Sequence, residues 1–403
     1  MIKILHIVGL AHGGVGHHLH SLLDGCDPHR FESTVAMAVD ESDLRPDFEK
    51  LGVRTIPLKL NHYGGLKSNV VAFRQLSALF KQEQFDVIQT HTSVAGAVGR
   101  IAAKTYTRSP VVHMIHAFAG HPYRSFMFRK AAAIVERRLD RWTDYYIAGT
   151  RAMVERGVSD RIFKASKAVL IPNGIDLELF DSNFDSAPQP VPHSFDGVRP
   201  TVTVGFLGRL EQQKGVPYLV RAAALVRQQN PHVRFRLAGE GKMRAELQQL
   251  AAELQVSDVI EFVGWQRNAA AFLKQIDILA MPSLWEAFGL SAAEGMAAGK
   301  PVVASRVEGL PEVVEDGRTG ILVPPTDHVG LARAIVDLAA DPNRCNLLGR
   351  QGRKRVEEKF TLTRMISQHE ELYERLAAGR QTGRAAADAL ASPLATEALS
   401  MAD

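Results

Sequence analysis

Cysteine is almost missing from this chain: of 403 residues only Cys26 and Cys345 carry a thiol, and they lie far apart. That excludes a disulfide-stapled secreted scaffold and any CxxC or Cys/His cluster with metal-ligand spacing. A reducing cytosol with two structural thiols fits. Long apolar runs are lacking as well. No stretch of about 18 uncharged apolar residues occurs, so no transmembrane helix is expected. The opening Met1–Val8 is short, alternates and leads to no cleavage-like site, which is not the plan of a signal peptide. Charge of one sign is scarce. A net charge of +4 and a pI near 9.0 suit anionic small ligands or an anionic membrane surface, and are too slight and dispersed for DNA or RNA. There is no D-x-D triplet to hold a metal on a diphosphate, no G-x-G-x-x-G fingerprint, and no internal repeat of about 20–50 residues.

What is present is globular α/β material. Hydrophobic residues make up 46% and charged ones 23%, enough for two cores. Short apolar strands alternate with amphipathic helices. In the first half, strands are expected at Ile2–Val8, Thr34–Val39, Val53–Pro57, Val87–Thr90, Val111–Ile115 and Tyr145–Ala148. The helices between them are expected near His17–Leu23 and over Val70–Gln82, Ala95–Thr105 and Phe126–Thr143. The alternation stops at Asp181–Pro200, a Pro-, Ser- and Asp-rich stretch that reads as a connection. It resumes with strands at Thr201–Leu207, Arg234–Ala238, Val259–Val263, Ile278–Met281, Val302–Ala304 and Ile321–Val323. Helices such as Val216–Gln229 lie between them, and a helix from about Leu362 to Leu376 closes the pattern. Buried strands separated by helices predict parallel sheets covered on both faces, with ligands beyond the strands' carboxyl ends.

Several segments after predicted strands carry polar chemistry. In Pro282–Gly299, Glu286 falls in a loop and Glu294 in the following helix. The N–H groups of Phe288, Gly289 and Leu290 lie near the helix start, where an anion is favoured. The two glutamates can accept hydrogen bonds from sugar and ribose hydroxyls; equally, Ser291 and Glu294 fit a capping box with no ligand at all. In Gly208–Gly215, Arg209 and Lys214 share one strand-to-helix loop and can neutralise a leaving diphosphate, or be two solvated cations. His12–Gly16 allows close approach of backbone to phosphate, or a plain tight turn, and Asp40 is a weak match to a ribose-binding acid. His113 and His116 fall mid-strand and at a strand end, and His91 ends another strand. Asn173-Gly174 reads as a turn, with Asp176 capping the next segment.

Together these segments resemble the family-4 retaining glycosyltransferases of GT-B fold, over nearly the whole chain to about residue 376. The most specific piece is the E-x7-E pair, Glu286 and Glu294, within PSLWEAFGLSAAEGMAAGKPVVAS; GRLEQQKG and PNGID add support. The segments HTSVAGAVGR and HMIHAFAGH are most similar to the bacterial capsule and exopolysaccharide branch. The resemblance implies two Rossmann-like domains with the active site between them. Residues 1–190 form the acceptor domain and 196–360 the nucleotide-sugar domain; 361–378 is a helix crossing back, and 379–403 a flexible tail. It implies roles as well. Glu286 contacts the transferred sugar and Glu294 the ribose. Arg209 and Lys214 stabilise the leaving diphosphate. Gly14 and Gly16 lie over the phosphates, His116 sits beside donor and acceptor, and Gly264 and Trp265 pass the base. The implied reaction moves a sugar, without metal or other cofactor and with retention, from a UDP-sugar (or a GDP-sugar) to a glycan or polyprenyl-linked acceptor. One departure stands out: Ala287 replaces the Gly or Ser that many relatives carry after the first glutamate.

Residues 123–142 join aromatics with six basic residues and only two acidic ones, a composition that suits anionic headgroups at the inner face of a plasma membrane. Two other readings use the same domains: an enzyme of the sugar-nucleotide 2-epimerase type, and a non-catalytic sugar-nucleotide-binding module.

Overall fold

A computed structural model describes residues 1–9, 13–38, 44–60, 65–120, 123–184 and 201–382. The first half runs β1 (Ile2–Val8), α1 (Gly14–Gly25), β2 (Phe31–Ala38), α2 (Arg45–Lys50), β3 (Arg54–Leu58), α3 (Leu66–Gln82), β4 (Val87–His91), α4 (Ser93–Tyr106), β5 (Val111–Ile115), α5 (Phe126–Leu139), β6 (Tyr145–Ala148), α6 (Arg151–Ser159) and β7 (Ala168–Leu170). The second half runs α7 (Glu178–Phe184), β8 (Val202–Leu207), α8 (Val216–Gln229), β9 (Val233–Ala238), α9 (Arg244–Glu253), β10 (Ile260–Gly264), α10 (Ala269–Leu273), β11 (Ile278–Met281), α11 (Leu290–Ala297), β12 (Val302–Ser305), α12 (Leu310–Val313), β13 (Gly320–Val323), α13 (His328–Ala340) and α14 (Pro342–Lys359). The long α15 (Leu362–Thr382) comes next. By contacts the chain forms two compact units: residues 1–174 with the segment from Leu362 onward, and Ile175–Thr361.

The first unit is built on a seven-stranded sheet, β3-β2-β1-β4-β5-β6-β7, parallel throughout. Alternation along β1 sends Leu5 and Ile7 to the face lined by Leu76, Ala95 and Ala102. Ile4 goes to the opposite face, which α15 covers with Met365, Leu372, Tyr373 and Leu376. Polar contacts fix α15 there: Tyr373 donates to Gln89 Oε1 at 2.7 Å, and Arg30 pairs with Glu370 at 2.9 Å and Glu374 at 2.7 Å. The last helix is therefore part of the first unit's core, and it runs six residues past the expected end at Leu376.

The second unit has a six-stranded parallel sheet, β10-β9-β8-β11-β12-β13. One face packs on α8 and α13 through Leu219, Val226, Leu331 and Ile335, the other on α11 and α14 through Met296 and Val356. The strands β5, β6 and β11 and the helix α8 have the bounds the apolar pattern predicts. The short elements α2, α6, α7, α12 and β7 do not stand out in that pattern. The stretch read as a connection from Asp181 starts inside α7, which Asp176 precedes with an Oδ1 that accepts from Glu178 N at 3.0 Å. The rest of that stretch, residues 185–200, lies outside the described residues, as do His12 and Asp40.

Candidate functional site

In a parallel sheet all carboxyl ends lie along one edge. In the second unit β8 has β9 on one side and β11 on the other, so the chain's winding reverses between β8 and β11, where such sheets bind ligands. The loops after β8, β9, β10 and β11 meet there. The β8 loop is held by Gly215 at φ 61°, where an added Cβ would stand 2.0 Å from Pro282 O; only glycine lets this loop lie against the β11 loop. Leu284 N donates to Gln213 O at 2.8 Å, and Gln213 Nε2 donates to Trp285 O at 3.1 Å. Gln213 Oε1 in turn accepts from Arg209 Nη2 at 3.2 Å, and the Arg209 head is exposed.

Lys214 forms an ion pair with Glu286, whose side chain is 8% exposed. Ser283 Oγ donates to the same carboxylate oxygen at 3.2 Å, and Gly309 N donates to Glu286 O at 3.0 Å. Both the side chain and the backbone of Glu286 are therefore fixed. The geometry brings together Arg209, Lys214 and Glu286, three of the four residues expected to do chemistry. Motif reading missed Gln213 and Ser283, although both sit inside the motifs; their roles depend on a contact between two loops some seventy residues apart.

The helix α11 begins at Leu290, with Gly289 at φ 96° as its cap and no side-chain cap bond. The capping box read from Ser291 and Glu294 is therefore not formed, because the helix starts two residues too early for Ser291 to cap it. Among the described residues no backbone acceptor meets the N–H groups of Phe288, Gly289 and Leu290. Glu294, one turn further along, is half-buried, and its carboxylate has no hydrogen-bond partner among the described residues. Burial pushes its carboxyl up to about 7, with Lys214 opposing the shift. Phe288 is buried and packs edge-on against Phe360 at 5.4 Å, supporting the loop from beneath. Gly264 ends β10 at φ 72°, its carbonyl accepting from Gly239 N at 2.8 Å, and the following Trp265 is 67% exposed.

The remaining expected residues lie in the first unit. Gly14 and Gly16 are not in a loop: α1 starts at Gly14, three residues ahead of the predicted start, and Gly13 at φ 57° makes the turn. His116 lies one residue past β5 with its Nε2 3.0 Å from Nδ1 of His91. Burial holds His116 down to about 4, and holds His91 and His113 well below their ordinary range. His113, three residues before His116, points to the other face and bonds Thr90 Oγ1 at 2.9 Å, a structural role.

The architecture matches solved structures. The crystal structure of Anabaena HepE in complex with UDP and glucose superposes with a TM-score of 0.78 at 24% identity, over 93% of this chain and all of that one. Two parallel-sheet α/β units of this kind are the GT-B fold, and the family matches make the chain a glycosyltransferase. Residues 12–179 match the family described as Glycosyltransferase Family 4, and residues 201–341 that described as Glycosyl transferases group 1. The D-inositol 3-phosphate glycosyltransferase of Pseudarthrobacter chlorophenolicus is 31% identical over 293 residues, covering 69% of this chain and 68% of that protein. The Escherichia coli UDP-Gal:alpha-D-GlcNAc-diphosphoundecaprenol alpha-1,3-galactosyltransferase is 26% identical over 306 residues, covering 74% and 77%. The chain belongs to glycosyltransferase family 4.

Proposed function

We propose that this glycosyltransferase moves a sugar, with retention and without a metal, from a UDP-sugar to a glycan or lipid-linked acceptor of bacterial surface polysaccharide assembly. The observation that carries the reading is the Lys214–Glu286 pair, with Arg209 on the same loop as Lys214 and Glu286 on the loop facing it. A departing diphosphate needs fixed positive charge, and Lys214 and Arg209 supply it while Glu286 and Glu294 accept from hydroxyls. UDP is favoured over GDP because HepE was crystallised with UDP and the Escherichia coli relative is named for UDP-Gal. The lipid-linked acceptor is likewise suggested by that relative's name.

The test is a calorimetry panel of UDP, GDP and ADP with their sugars in EDTA, followed by NMR of the product anomer. Saturable UDP binding, lost in Glu294→Ala, and an axial product are expected; inversion, or a requirement for divalent metal, overturns the reading. Arg209→Ala is expected to lower kcat about 10²- to 10³-fold, as when a preorganised charge donor is removed. Epimerised donor formed without acceptor would favour the epimerase instead, and absence of all nucleotide binding the silent module.

A membrane surface enters through α5. Met127, Ala131, Ile134, Val135 and Arg138 share one helical face, and that face is turned outward: Met127 is 79% exposed, Ile134 and Val135 52%. Its acidic neighbours are neutralised on the inner side, Glu136 by Arg100 at 2.9 Å and Asp140 by Lys167 at 2.9 Å. Arg124, Lys130 and Arg138 are left facing solvent. Each such cation contributes about 1 kcal/mol near an anionic leaflet. Flotation with phosphatidylglycerol vesicles is expected, weakened by Met127→Ser with Ile134→Ser and absent with phosphatidylcholine; equal behaviour with both lipids would sink the idea.

A further inference from the structure

Within the first unit β1, β4 and β5 are neighbours, and each brings one histidine to the same sheet face. His6 lies across from Gln89, and His91, two residues on, shares that residue's face. His91 lies across from Met114, and His116, two residues on, again shares the face. The three rings form a chain across the strands: His6 Nδ1 is 3.4 Å from His91 Nε2, and His91 Nδ1 is 3.0 Å from His116 Nε2. His6 and His91 are fully buried, and burial keeps both neutral.

A neutral imidazole has one N–H and one lone pair, so the bonds in this chain must all run the same way. If His91 Nδ1–H donates to His116 Nε2, then His91 Nε2 accepts from His6 Nδ1–H, and His116 Nδ1 carries a proton. With the direction reversed, His116 Nδ1 is a bare acceptor. Either way Nε2 of His116 is occupied, and Nδ1, which bonds no described residue, is the only ring atom left for a ligand.

We infer that His91 is a positioning residue for sugar transfer: it engages Nε2 of His116 and, with His6 behind it, decides whether His116 Nδ1 presents a donor or an acceptor to a substrate hydroxyl. The inference rests on the proposed reading in one respect, that His116 meets substrate. It differs from a packing role because a packing residue would not set the tautomer of its neighbour.

Long-range proton–nitrogen NMR of the His116 ring in the full chain tests the contact without any substrate. The wild type is expected to show a single tautomer. In His91→Phe, which keeps ring volume, the His116 nitrogens are expected to move to a two-tautomer average, and His91→Gln to restore one form. If His91→Phe does not fold, His6→Phe cuts the chain one ring further in and is expected to mix the tautomers too. Unmoved His116 shifts in either folded variant overturn the inference. With transfer measured, His91→Phe is expected to lower kcat about 10- to 100-fold, as when an outer partner fixing an imidazole is lost, while UDP binding in the second unit is unchanged. Moved shifts with full kcat overturn the functional half. A wild-type chain that transfers no sugar instead sinks the proposed function, and the ring spectra still decide the contact.

Discussion

Glu294 sits one turn into α11, half-buried and within the field of Lys214. Its carboxyl is raised to about 7 because burial penalises the anion more than Lys214 rewards it. A raised acid contributes stability that is fully present below the unfolded value of about 4.5 and is lost as pH rises through about 7. Glu294→Gln is therefore expected to raise Tm relative to the wild type at pH 8 and to leave it unchanged at pH 4. A ribose that donates to the carboxylate binds the ionised form, so UDP affinity should rise between pH 6 and 8 in the wild type and stay flat in the glutamine variant. Titration calorimetry across that range checks both the sign and the role. The spacing of Glu286 and Glu294 was visible in sequence, because the two positions bracket a strand-to-helix loop. That Glu294 is free of a cap bond was not, because the letters S-x-x-E read the same whether the helix starts at Leu290, which leaves the box unformed, or at Ala292, which would form it. Only the backbone at Gly289 decides between them.

Among the elements, α15 differs most from its sequence reading. The apolar spacing of residues 362–376 announced a helix, and the resemblance sent it back to the first domain. Neither indicated that it brings a buried imidazole, His369, into ring contact with His18 at 5.6 Å. With His6, His18, His91, His113 and His116, this makes six rings that burial holds below 6.5. For a base with a lowered folded value, the contribution to stability is present above about 6.5 and is lost as pH falls toward 4, since the unfolded chain takes up protons the folded one refuses. Acid unfolding should begin near pH 6.5 and steepen downward, by up to about 1.4 kcal/mol per pH unit for each ring. His369→Gln should flatten the slope, as read by Tm against pH. The opposing effect of Glu294 is one group against six and does not reverse it. The helix α2 and strand β7 were illegible for a different reason: at six and three residues they are shorter than the stretch over which either periodicity shows.

Taken as a whole molecule, the chain has two units with unlike connectivity. The second is one continuous segment with its own two-faced core. A fragment of residues 175–361 is expected to fold alone, melt cooperatively and bind UDP with near full-length affinity; a fragment that stays unfolded would show that its core is insufficient. The complementary fragment of residues 1–174 lacks α15, leaves Ile4, Val112 and Ile147 uncovered, and is expected to aggregate until a peptide spanning 362–382 is added. The α/β class and the two sheets could be read from the alternation of apolar strands with helices. The discontinuous make-up of the first unit could not, because periodicity is local and says nothing about which distant segment completes a core.

That discontinuity orders events during synthesis. A growing chain emits the whole sheet of the first unit early, yet the helix that seals one face is made only after all of the second unit. At about 5–20 residues per second the open face waits on the order of ten seconds or longer. The unit begun first is thus completed second, and the length of its neighbour acts as the clock on its folding.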